Sequence, residues 1–85
     1  MRTFYTQEKH LVARFVEERE RRGLSQAQVA ELVGVSVTHL SRLENKHQSP
    51  GLDTALRWAH AVGLALEVVM LPENAVRMLY AKRGG

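Results

Sequence analysis

Ser36, Val37, Thr38, Ser41 and Arg42 fall on one side of a short helical pattern, because Leu40 and Leu43 take the other side. At helical spacing the two sets cannot share a face, so the polar set points away from any core. It carries groups that suit the edges of base pairs. An arginine such as Arg42 can donate two parallel hydrogen bonds to O6 and N7 of guanine, and Val37 or the Thr38 methyl can touch the methyl of thymine. Asn45, Lys46 and His47 follow directly and are better placed for a phosphate backbone, which positions a protein without specifying sequence. For Lys46 and His47 simple solvation is the alternative, since charges on a rim often contribute little. Gln26 opens an earlier helical stretch, where its amide and the first N–H groups of the helix can clamp a phosphate.

Positioning these side chains is the task of residues 25–45, SQAQVAELVGVSVTHLSRLEN. Ser25 is a natural N-cap, and Gln28 three residues on completes a capping box. Leu24 before the cap can staple onto Val29, and Val29, Ala30 and Val33 form one apolar stripe. Gly34 then ends the helix in a left-handed conformation at little cost. Ser36 caps the second helix, with Val35 before it set to staple onto Leu40. Ala30 lies where the two helices approach most closely, and its small side chain permits that approach. Two short helices joined this tightly make a helix-turn-helix, whose second helix enters the major groove of DNA. The alternative is an ordinary helical hairpin, but a bundle does not require the small residue, the Gly turn and both caps in this register.

The segments GLSQAQVAELVGVS, HLSRLEN and SPGLDTALRWAHAVG resemble the Cro and lambda-repressor-like (XRE) helix-turn-helix family, over roughly Leu11 to Leu66. The resemblance implies a mainly α, lambda-repressor-like domain of four to five helices. It implies a sequence-specific double-stranded DNA-binding regulator, a repressor, with the outward face of the second motif helix in the groove. Arg19 matches a position whose arginine pairs with the glutamate of the L-E-N segment, here Glu44, and such a pair would tie the first helix to the end of the recognition helix. Two unrelated surface charges are the alternative. There are two departures. Glu18 and Glu20 stand where the family often has aliphatic residues, so that corner is expected to have a thin core or to face a partner. Lys46 stands where the family has Gly, so it must cap differently or accept a left-handed conformation.

The first helix is expected over residues 7–22, with Thr6 as N-cap, an apolar stripe of Leu11, Val12, Phe15 and Val16, and ion pairs Glu17–Arg21 and Glu18–Arg22. Residues 1–6, with Phe4 and Tyr5, read as a leader. Pro50 and Gly51 lead into a fourth helix over residues 52–62, with Leu52, Ala55, Leu56, Ala59 and Val62 on its buried face. Trp58 lies off the centre of that face, as a core or dimer-interface flank. Residues 64–71, LALEVVML, alternate in a way that suits a short strand closed by Pro72. A lone strand has an unpaired backbone that invites a second chain. The HipB-like antitoxin branch of the family carries a strand here that pairs across a dimer. Leu64, Leu66, Val68, Val69, Met70 and Leu71 are therefore the expected dimer interface, with Leu64, Leu66, Val68 and Met70 able to cover the helices of their own chain. A fifth buried helix is the alternative. A last helix is expected over residues 73–82.

Eighty-five residues make one domain: a leader at 1–6, a DNA-binding unit at 7–63 and a dimerisation strand with helix or tail at 64–85. A chain this small often gains stability by oligomerising. Twelve Lys and Arg against nine Asp and Glu give a net charge of +3, a basic bias that nucleic acid would accommodate. With no cysteine there is no disulfide or thiolate site, and His10, His39, His47 and His60 show no metal-ligand spacing. No metal or cofactor is expected, and no catalytic constellation appears, so the chain reads as a non-enzyme. Without a signal peptide or long apolar run, the expectation is a cytoplasmic protein with no membrane contact. The expected partners are a palindromic operator, a second copy of the chain and, on the antitoxin reading, a toxin whose operon the protein represses. A phage-type or other stand-alone repressor is the alternative. So is an interaction module that neutralises a partner and whose DNA binding is vestigial.

Overall fold

The computed structural model describes residues 7–67, 70 and 72–74. Among the described residues four complete helices are formed: α1 (Glu8–Arg21), α2 (Gln26–Val33), α3 (Val37–Glu44) and α4 (Leu52–Ala61). α2 packs on both α3 and α4, and α1 packs on α3.

The ends of α2 and α3 are set by local chemistry. Ser25 Oγ accepts from Gln28 N at 3.0 Å while Gln28 Oε1 accepts from Ser25 N at 2.8 Å, a closed capping box. Gly34 ends α2 at φ 88°, and its N–H and that of Val35 both return to Ala30 O. Ser36 Oγ accepts from His39 N at 3.0 Å and starts α3. Leu24 and Val35, one before each cap, pack against the core. α3 closes in the same way as α2 but without glycine. The Lys46 N–H reaches Leu43 O and that of His47 reaches Arg42 O, with Lys46 at φ 62°. Lys46 thus accepts the left-handed conformation, which costs roughly 1–2 kcal/mol for a residue with a Cβ.

One core is shared by all four helices: Val12 and Phe15, then Val29, Ala30 and Val33, then Leu40 and Leu43, then Ala55, Trp58, Ala59 and Val62. Trp58 is at its centre rather than on a flank, fully buried with its ring 5.0 Å from that of Phe15. The buried face of α4 is rotated towards it, and Leu52 is left 75% exposed. The physical reason is area. An indole has the most apolar surface to remove from water, so it takes the centre and the first residue of the helix turns out.

α1 differs from expectation at its ends. Thr6, the expected cap, lies outside the described residues, and Gln7 precedes α1 without a side-chain cap. Of the two carboxylates that stand where the family often has aliphatic residues, Glu18 is buried and Glu20 is exposed. The Glu18 carboxylate takes Arg21 Nη2 at 2.6 Å, Arg14 Nη1 at very close range and Arg22 Nε at 3.5 Å, so the cations it needs come from its own helix. Arg21 therefore pairs with Glu18 one turn back instead of with Glu17, and Glu18–Arg22 is not an exposed pair. The Arg22 guanidinium lies over Gly63, where a Cβ would come within 2.5 Å of it. Gly63, at φ 81°, thus lets the end of α1 close over the end of α4.

Beyond Gly63, Leu64 N–H bonds to Ala59 O at 2.8 Å, and Leu64 and Leu66 pack against the core. Residues 64–67 belong to no helix or strand, and among the described residues there is no strand. A ladder needs a second strand, and no other described segment of the chain supplies one. Val68, Val69 and Leu71 lie outside the described residues. Met70 does not join Leu64 and Leu66 on the core, being 96% exposed. Glu73 and Asn74 are helical, and the remainder of the expected last helix lies outside the described residues, as does the leader at 1–6.

Candidate nucleic-acid interface

α3 buries Leu40 and Leu43 and turns its other side outward. Val37, Thr38 and Arg42 are exposed and Ser41 is half-buried beside them. The Arg42 side chain has no ion pair or hydrogen bond among the described residues, so its guanidinium is available to a ligand. Val37 leaves 45% of its surface in water at the very start of the helix, an apolar group on an otherwise polar face. The Ser36 hydroxyl oxygen is occupied as the cap, which leaves its O–H to donate.

The flanking residues are less free. Asn45 Nδ2 donates to Ser41 O at 2.9 Å and to Ser41 Oγ at 3.4 Å. Its amide is folded back on the last turn of α3, with the carbonyl oxygen left over. Lys46 and His47 are exposed in the turn that follows. Lys46 also borders a shallow hollow lined by Glu8, Lys9, Val12, Gln48 and Ser49.

Arg19 and Glu44 are partners. Arg19 Nε donates to Glu44 Oε2 at 2.7 Å and Nη2 to Oε1 at 3.1 Å, a bidentate pair, and Nη1 donates to Leu24 O at 2.9 Å. Gln26 joins it, its Nε2 donating to Glu44 Oε1 at 2.9 Å. Sequence reasoning placed Gln26 on a phosphate and did not find this bond. No signal within a few residues marks it, because the bond depends on how the first turn of α2 meets the end of α3.

Charge is also concentrated around Glu18, beside Arg19 in the last turns of α1. The Arg21 and then the Arg14 hydrogen bonds hold the Glu18 carboxyl down at about pKa 2 against an ordinary 4.5, and the same contact pushes Arg21 up. This cluster ties α1 together, and none of its members lies on the outward face of α3. Among the described residues no group of acidic or histidine side chains could hold a metal ion, and no helix is long and apolar enough to cross a membrane.

A family model described as helix-turn-helix matches residues 16–69, from the middle of α1 past Leu66. No curated protein and no solved structure matches the chain. The match covers more than half of the sequence and contains both capped helices, the left-handed turn and the outward face of α3. The chain belongs to the helix-turn-helix family in its Cro and lambda-repressor-like form, and is a DNA-binding transcription regulator.

Proposed function

We propose that the protein is a sequence-specific repressor that binds a palindromic DNA site as a homodimer. The observation that carries the reading is the outward face of α3: Val37, Thr38, Ser41 and unpaired Arg42, mounted on a rigid, doubly capped motif. Such a face can present one bidentate donor and two methyl-bearing groups to base edges. Ser36, Gln26, Asn45, Lys46 and His47 flank it as candidates for phosphate contacts. The dimer part of the proposal rests on residues 64–71, where Leu64 and Leu66 cover the core while Ala65 and Met70 are exposed. Antiparallel pairing with the same segment of a second chain would satisfy its backbone about a two-fold axis. The narrower reading, a HipB-like antitoxin that represses its own operon, depends on that same segment. Isolation of the protein with a toxin encoded beside it would support that narrower role.

Titration with duplex DNA at several salt concentrations tests the main reading. DNA from around the protein's own gene should bind ~10³-fold or more tighter than a mixed-sequence duplex, and the affinity for both should fall steeply with salt. Equal, salt-insensitive binding to every duplex would contradict it.

A further inference from the structure

Glu44 is the last residue of α3, yet its side chain is only 6% exposed. Its carboxylate is where three helices meet, accepting from Arg19 of α1 and from Gln26 of α2. A glutamine amide has two unlike ends, one oxygen that accepts and one nitrogen that donates twice. An ionised carboxylate only accepts. It therefore tolerates the nitrogen of Gln26 beside it and repels the oxygen, so the amide can sit only one way round. The same nitrogen keeps a second N–H, which no described residue takes up. Gln26 is the first residue of α2, where the backbone N–H groups of the opening turn also lack helical partners.

We propose that Glu44 is a positioning residue for the contact with the DNA backbone. It holds the Gln26 amide nitrogen so that the second N–H is donated to a phosphate oxygen. Arg19 completes the device, because its guanidinium cancels the carboxylate charge that would otherwise repel the phosphate. Setting the amide before DNA arrives removes an ordering cost from binding. The inference rests on the DNA-binding reading above, and adds to it the residues that orient Gln26.

A binding cycle on the full chain tests it, using a mixed-sequence duplex as probe. Glu44→Gln keeps the shape but lets the facing amide take either orientation. Gln26→Ala should weaken binding roughly tenfold, the weight of one hydrogen bond to a charged group. Glu44→Gln should lower affinity by about twofold or more where Gln26 is present, relative to its effect in the Gln26→Ala background, where only the unmasked Arg19 charge acts. The double variant should bind no more weakly than Gln26→Ala alone. Loss of packing at residue 44 would instead weaken binding with or without Gln26. NMR of the two Gln26 side-chain amide protons in the unaltered protein needs no variant. On adding duplex, one proton should shift and the other should stay, still held by Glu44. If the unaltered protein binds no duplex, the DNA reading and this inference fall together. If it binds, but Glu44→Gln weakens binding equally in both backgrounds or both amide protons shift, the positioning role is wrong and DNA binding stands.

Discussion

Arg42 and Arg19 are both arginines near the end of a helix, and their surroundings give them opposite tasks. Arg42 is exposed with its fork unoccupied, while Arg19 has all three guanidinium nitrogens donating inward. Arg42→Ala should therefore cost ~1–3 kcal/mol in binding and relax preference at one base position, with little effect on stability. Titration against duplexes varied at single positions checks both. Arg19 should show the reverse. A double-mutant cycle on unfolding should give Arg19–Glu44 a coupling of at least ~1 kcal/mol. The exposed pair Asp53–Arg57, a single contact at 2.9 Å within α4, should give about 0.5 kcal/mol or less, because solvent screens it and it lacks the second bond. Equal couplings for the two pairs would mean that burial adds nothing at Glu44.

At the scale of elements, α1 depends on a carboxylate that it neutralises itself. Glu18 has a folded pKa of about 2 against an ordinary 4.5. A depressed carboxyl pKa contributes stability that is fully present above 4.5 and is lost as pH falls towards 2. Unfolding midpoints measured across that window should fall for the unaltered chain. They should start lower and be flatter for Glu18→Gln, which leaves the arginines without their anion. The caps, the Gly34 turn and the apolar stripes of α2 and α3 were legible in the sequence because each is a local signal spanning a few residues. Arg19–Glu44 was legible only through the family resemblance. Glu18 lies three residues after Phe15, on the same side of α1, so its burial had a local signal that its charge outweighed. The central place of Trp58 and the bond from Gln26 to Glu44 had no such signal, since both depend on how separate helices meet.

On the scale of the whole molecule, one copy presents one recognition helix, and a single short helix touches too few bases for strong preference. A two-fold dimer would set two such helices about one turn of DNA apart, roughly 34–36 Å. Val68→Pro removes a backbone donor from the segment proposed to pair, so it should give a monomer by sedimentation and a much weaker complex with the operator. A variant that stayed dimeric would move the interface elsewhere, and the exposed Leu52 at the start of α4 would be the next place to look. The core claim is that the outward face of α3 reads sequence in a symmetric complex, and selection from a pool of random duplexes tests it most directly. The bound fraction should converge on an inverted repeat with half-site centres about one helical turn apart, and Arg42→Ala should lose preference at one symmetric pair of positions. A bound pool that stays random, or a selected motif that Arg42→Ala leaves unchanged, would contradict it.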